Sequence, residues 1–148
     1  MTEADVLHLL LVEDDLADQM LMQEAAELSG LPCILHLARD GIEALEFLRR
    51  PGTPRPRLIL LDLNMPRMGG LALLREVRAD PELRSTPLVM LTNSNASGDV
   101  AHCYAAGASA YVCKSMQLET FLNTVQTTLN YWCRSALLPE AQPDLHRP

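Results

Sequence analysis

Leu58-Ile59-Leu60-Leu61-Asp62-Leu63-Asn64-Met65-Pro66 is the stretch on which the reading of this chain turns. Four consecutive apolar residues, closed by a carboxylate and a proline-containing turn, read as a buried strand with Asp62 at its C-terminal end. In open α/β sheets that end is where reactive groups collect. Three further apolar runs close in a similar way. Leu9-Leu10-Leu11-Val12 ends in Glu13 and Asp14, Leu88 to Leu91 ends in Thr92, and Ala110-Tyr111-Val112-Cys113 is followed by Lys114. A parallel sheet brings all of these polar groups to one edge.

The segments between the runs carry helical periodicity. Ala17 to Leu28 places Met20, Leu21, Ala25 and Leu28 on a 3.6-residue period and stops at Gly30. Cys33 to Ala38 reads as another strand, and Ile42, Leu45 and Leu48 mark a helix that ends before Pro51. Pro51-Gly52-Thr53-Pro54-Arg55-Pro56 fits neither a helix nor a central strand and reads as a surface connection. Leu71, Leu74 and Val77 define a helix after Gly69-Gly70. Val100 to Ala106 is a short helix behind the polar loop Asn93 to Gly98. The last helix runs from Met116 to about Trp132 and carries Leu118, Phe121, Leu122, Val125 and Leu129 on one face. Strand and helix alternate five times, which predicts an α/β protein of βαβ units, a five-stranded parallel sheet and right-handed crossovers.

A chain of 148 residues is one domain with room for a proper core. We assign residues 1–132 to that domain and 133–148 to a tail. Pro139, Pro143 and Pro148 predict an extended or disordered end to that tail. A net charge of −7 argues against direct binding of nucleic acid, which needs clustered Lys and Arg. No run approaches the roughly 20 apolar residues of a membrane span. The start, Met-Thr-Glu-Ala-Asp, is acidic where a signal peptide is basic, so a cytoplasmic protein is expected. Cys33, Cys103, Cys113 and Cys133 are widely spaced and read as free thiols. His102 adjoins Cys103 without ligand spacing, and His8, His36 and His146 have no partners nearby, so zinc is not expected.

Glu13 and Asp14 beside Asp62 form a cluster of like charges, which repel and raise one another's pKa unless a cation neutralises them. A hard divalent ion with oxygen ligands does so, and magnesium keeps waters that a phosphate can displace. Asp62 is then a nucleophile toward a phosphoryl group, giving an acyl phosphate. Such transfer needs mostly positioning and charge neutralisation. Lys114 supplies charge, and the Thr92 hydroxyl can hydrogen-bond a phosphoryl oxygen. Taken singly, each residue has a plainer reading: Asp14 as a helix N-cap, Asp62 as the opening of a turn, Lys114 as a solvated strand end, Thr92 as an ordinary β-branched strand residue. Their occurrence in order at four strand ends favours the joint reading.

Four segments together resemble the receiver domain of two-component response regulators over residues 6 to 132. They are Leu-Leu-Val-Glu-Asp-Asp (10–15), Leu-Ile-Leu-Leu-Asp-Leu-Asn-Met-Pro-Arg-Met-Gly-Gly (58–70), Val-Met-Leu-Thr-Asn-Ser (89–94) and Ala-Gly-Ala-Ser-Ala-Tyr-Val-Cys-Lys-Ser (106–115). The resemblance implies a doubly wound, flavodoxin-like (βα)5 sheet with strand order 2-1-3-4-5, for which a receiver is one of the standard examples. It implies Asp62 as phosphoacceptor and Mg2+ as cofactor. Glu13, Asp14 and Asp62 would hold the metal, Asp14 being favoured over Glu13 as a direct ligand, with the backbone carbonyl of Asn64. Thr92 and Lys114 match the switch hydroxyl and the phosphate-binding lysine, and Tyr111 the aromatic switch residue.

The chain departs from the family pattern at Ser115, where proline is usual, and at Asn93, where a small residue is common. Asn64 and Ser94, two residues after Asp62 and Thr92, offer neither acid nor base. Only residues 133–148 follow the receiver, so no output domain is expected. With the long connection in the fifties, these features resemble the small response regulators paired with phytochrome-type histidine kinases. That subgroup implies such a kinase as phosphodonor and a homodimer built through the last helix and its extension, while terminal output, a phosphate sink and relay to a histidine phosphotransfer protein all stay open. Tyr131, Trp132, Leu137 and Leu138 are the expected dimer contacts. Two alternatives stand beside this reading. A haloacid-dehalogenase-type phosphatase needs an acid at position 64, and a receiver-fold binding module that is never phosphorylated would typically lack one of the key residues. A Rossmann nucleotide site is excluded, because no Gly-x-Gly follows the first run.

Overall fold

The runs Leu9–Val12, Leu58–Leu61 and Leu88–Leu91 show no polar alternation, which requires burial on both faces. The computed structural model, which describes residues 6–139, places them as the three central strands of a five-stranded parallel sheet. In chain order the elements are β1 (Leu7–Val12), α1 (Leu16–Leu28), β2 (Cys33–Ala38), α2 (Gly41–Arg49), β3 (Leu58–Leu61), α3 (Gly70–Ala79), β4 (Leu88–Thr92), α4 (Ser97–Ala105), β5 (Ala110–Cys113) and α5 (Leu118–Asn130). A π-helical turn, Tyr131–Ser135, continues α5 past position 132. Strand order is β2-β1-β3-β4-β5, as the resemblance implied. Pro143, Pro148 and His146 lie outside the described residues.

Two cores flank the sheet. Leu10, Val12, Ile59, Leu61 and Met90 pack with α2 and α3 residues on one face, while Leu9, Leu11, Leu60, Val89 and Leu91 pack with α1 and α5 on the other. Arg78 ties the lower rim together by donating to the carbonyls of Gly107 (2.8 Å), Thr86 (2.7 Å) and Arg84 (3.0 Å). Among the described residues no helix is long and apolar enough to cross a membrane.

Four expectations need correction. Of the expected α1 stripe, Ala25 is buried and Leu21 packs against the core, but Met20 and Leu28 are each 62% exposed, and Gln19, Met22 and Ala26 are buried in their place. The helix has apolar residues around most of its circumference, so periodicity offers two stripes. On the buried face Met22, Ala25 and Ala26 pack into the core, and the Gln19 side chain donates to the Glu13 carbonyl at 2.5 Å, which accommodates a polar residue turned inward. α4 begins at Ser97, three residues before the expected start, because Ser94, Ser97 and Gly98 have loop composition yet Ser94 binds Asp99 in the first turn of the helix. α5 begins at Leu118, two residues after the expected start at Met116, and Leu118 is exposed rather than part of its buried face. Finally, His8 and His36 do have a partner in one another. Parallel pairing of β1 with β2 sets Nδ1 of His8 3.0 Å from Nε2 of His36, and the Phe47 ring packs tilted against His36. All four cysteines are free thiols, as expected; burial pushes Cys133 up to about 11, which keeps it a protonated packing group.

Candidate functional site

Register explains how distant residues meet. Val12 pairs with Leu61, Leu61 with Met90, and Thr92 with Cys113. The next backbone bonds continue the ladder past the strand ends: the Asp62 N–H donates to the Val12 carbonyl (3.0 Å) and the Lys114 N–H to that of Thr92 (2.7 Å). Glu13, Asp62, Thr92 and Lys114 therefore sit together at the C-terminal edge of the sheet. One ligand oxygen from each of Glu13, Asp14 and Asp62 lies within 4.8 Å of the others.

Asp14 is not the helix cap. Asp15 takes that role, accepting from the N–H groups of Ala17 (2.8 Å) and Asp18 (3.3 Å), which leaves the exposed Asp14 carboxylate beside the cluster. Glu13 is otherwise engaged. One of its oxygens pairs with the Lys114 ammonium, and the other accepts from the Asp15 N–H at 3.1 Å. Lys114 also donates to Asp18 at 2.8 Å and stands 4.0 Å from Asp62. The side chains of Lys114 and Glu13 are 4% and 3% exposed. Burial works against charge on both. It pushes the Glu13 carboxyl up to about 7 despite the pull of Lys114. For Lys114, the hydrogen bonds it donates to Asp18 and Glu13 outweigh burial and hold its pKa above the ordinary value. The asymmetry has a simple cause: Lys114 has two anions in contact, Glu13 one cation.

The donor set is three carboxylates at a partly open edge, all hard oxygens, which suits Mg2+ or Mn2+ rather than a thiolate- or imidazole-seeking metal. Asn64 lies in the following loop, two residues beyond Asp62. That loop is pinned to the start of α2, because Arg67 donates to Asp40 at 2.6 Å and the Gly41 N–H to the Met68 carbonyl at 3.0 Å. Arg67 holds φ at +62°, a left-handed conformation that costs a non-glycine residue about 1 kcal/mol and is retained here by the Asp40 contact. Against the cost of its burial, the Glu43 N–H and the Arg67 guanidinium hold the Asp40 carboxyl below the usual range.

Thr92 is buried at the end of β4. The Tyr111 side chain points inward, its hydroxyl donating to the Ser94 carbonyl at 2.8 Å. Ser94 in turn donates to Asp99 at 2.5 Å, so the loop after Thr92 is joined to both β5 and α4. The four proposed dimer contacts are not alike. Tyr131 and Leu137 are exposed, whereas Trp132 packs partly on the second core and the Leu138 carbonyl accepts from Arg57 at 3.2 Å.

The sequence reading missed Asp18, Gln19, Asp40, Arg67 and Asp99. Asp18 was masked by Asp15-x-x-Asp18, which looks like a helix start and is one. Asp40 and Arg67 pair across 27 residues of chain, and Gln19 and Asp99 bind loop groups six and five residues away, spacings that no periodic pattern marks.

Comparison with known proteins agrees with this geometry. Residues 9–126 match the response regulator receiver domain family. The chain is 39% identical over 137 residues to the response regulator Rcp1 of Synechocystis, covering 90% of this chain and 93% of that protein. The crystal structure of the phosphorylated cyanobacterial phytochrome response regulator RcpA superposes with a TM-score of 0.87 at 37% identity, over 90% of this chain and 98% of that one. The Mn2+-bound form of Rcp1 gives a TM-score of 0.85 at 38% identity, over 89% and 98%. With its strand order, its acidic edge and its buried lysine accounted for, this chain belongs to the response regulator receiver domain family and resembles the response regulators of phytochromes.

Proposed function

We propose that the chain accepts a phosphoryl group on Asp62 from a sensor histidine kinase of the phytochrome type, in the cytoplasm and with Mg2+ bound. The observation that carries this is the Asp62 carboxylate, gathered with the oxygens of Asp14 and Glu13 and standing 4.0 Å from the Lys114 ammonium that pairs with Glu13. An Asp62 oxygen attacks the phosphorus of the kinase phosphohistidine; the P–N bond breaks, and the imidazole nitrogen keeps the electron pair and takes a proton. Hydrolysis of the acyl phosphate returns the carboxylate and inorganic phosphate. Asp14, Asp62 and the Asn64 carbonyl would hold the magnesium, Glu13 contributing through its charge, and the ion would neutralise the phosphoryl oxygens. Lys114 and the Thr92 hydroxyl orient them. Movement of Thr92 toward the phosphoryl group loosens the Ser94 loop and lets Tyr111 repack, which presents a changed surface to a downstream partner or to a histidine phosphotransfer protein. This is self-modification, not turnover of a metabolite.

The test is intact mass after incubation with Mg2+ and a small phosphodonor, an acyl phosphate or a phosphoramidate. One added phosphoryl group, absent after chelation and in Asp62→Asn, is the expected result. No gain under conditions that label another receiver would move the assignment to a binding module that is not phosphorylated.

The reading extends to a homodimer through the end of α5 and the tail, supported by the exposed Tyr131 and Leu137. Light scattering should give a two-chain mass that falls to one chain in Tyr131→Glu/Leu137→Glu. Equal masses for the two proteins would remove the tail from the interface.

A further inference from the structure

We infer that Asp18 is a positioning residue for the phosphoacceptor: by holding the Lys114 ammonium on the α1 side, it keeps the Asp62 carboxylate open to metal and phosphoryl group. The inference rests on the receiver reading above and adds to it a residue outside the four motif segments. An ammonium has three donors. On Lys114 one goes to Glu13 and one to Asp18 at 2.8 Å, while Asp62, at 4.0 Å, stands beyond hydrogen-bond reach. The lysine side chain is 4% exposed, so water competes weakly for its ammonium, and a donor freed from Asp18 is drawn toward the nearest remaining protein oxygen.

Asp62 is the remaining carboxylate within 4.0 Å of that nitrogen. Without Asp18, a displacement of about 1 Å brings Lys114 into a direct charge-assisted hydrogen bond with Asp62. That bond would occupy the oxygen that must ligate the cation or attack phosphorus. Asp18 is placed for its role by local structure: it is the third residue of α1, its N–H is bound by the Asp15 cap, and its side chain is 24% exposed.

The experiment is a double-mutant cycle read by Mn2+ binding, followed by the electron spin resonance of free Mn2+, with phosphoryl uptake by intact mass as the second readout. Asp18→Ala should weaken Mn2+ binding about tenfold, in the range found when a group orienting a metal ligand is removed, and should slow labelling at limiting metal. In a Lys114→Met background the same substitution should change Mn2+ affinity by less than about twofold, because the group through which Asp18 acts is gone. If Lys114→Met does not fold, Lys114→Gln, which still donates to Glu13, takes its place. An equal loss in both backgrounds would show that Asp18 acts only through its charge field and would overturn the inference, as would wild-type affinity in Asp18→Ala. A wild-type chain that binds no Mn2+ would overturn the receiver reading and this inference with it. A wild type that binds Mn2+ and takes up phosphate while Asp18→Ala matches it would overturn this inference alone.

Discussion

Gly70→Ala should destabilise the chain by about 3 kcal/mol and cut phosphoryl uptake on Asp62 by about 10²-fold. The cause is steric. A Cβ at Gly70 would overlap the Asp62 carbonyl oxygen and stand 2.8 Å from the Leu63 Cα and 3.1 Å from the Asp62 carbonyl carbon. These are backbone atoms, so no rotamer change relieves the overlap. Gly70 opens α3, and its N–H donates to the Leu63 carbonyl at 2.9 Å, locking the helix start onto the residue after the phosphoacceptor. Relief requires that lock to open by something near an ångström, which carries the Asp62 carboxylate and the Asn64 carbonyl away from Asp14. Gly98→Ala is the matched control. It also lies in the first turn of a helix, α4, but an added Cβ meets nothing within 4 Å, so its stability should hold or rise by up to about 1 kcal/mol with labelling unchanged. Chemical denaturation and timed mass spectrometry of both variants check the contrast. A Gly70→Ala protein that labels at the wild-type rate would mean the contact can be relaxed without moving the site.

Residues that report their own environment were the legible ones. The unbroken apolar runs around Leu60 and Val89 carried the central strands, and the polar groups that terminate them carried the site, because parallel register puts strand ends together whatever the helices between them do. Burial of individual helix faces was less legible where composition offered more than one stripe. In α1, Met20 and Met22 are equally apolar, and the face that is buried is the one on which Met22, Ala25 and Ala26 pack into the core and Gln19 reaches the Glu13 carbonyl. The same limit explains Asp14 and Asp15: both are acids at the start of a helix, and which one caps depends on where the strand releases the chain, one residue later than the plainer reading assumed. The His8–His36 contact and the Arg67–Asp40 pair are products of strand and loop neighbourhood across about 28 residues of chain, with no periodic trace.

Lys114→Met should lower the rate of phosphoryl uptake by about 10²–10³-fold, the loss typical when one fixed donor to a developing negative charge is removed. It should also destabilise the metal-free chain in a pH-dependent way. Lys114 offsets the burial of Glu13, whose carboxyl already stands at about 7 against an ordinary 4.5. A group with a raised folded-state pKa gives its stabilising contribution in full below the unfolded value and loses it as pH rises through the folded one. The wild-type chain without metal should therefore lose stability between about pH 4.5 and 7 from this group. Without Lys114 the Glu13 anion has no cation in contact, so its pKa rises further and the loss extends to higher pH. At pH 8 the variant should be weaker than wild type by about 3 kcal/mol, the cost of leaving a buried charge unpaired. Near pH 5 the gap should narrow, because a protonated Glu13 needs no counter-ion. Urea denaturation at the two pH values in the presence of a chelator measures both gaps. A gap independent of pH would assign the loss to packing of the lysine stem rather than to its charge, and would separate the structural work of Lys114 from its work on the phosphoryl group.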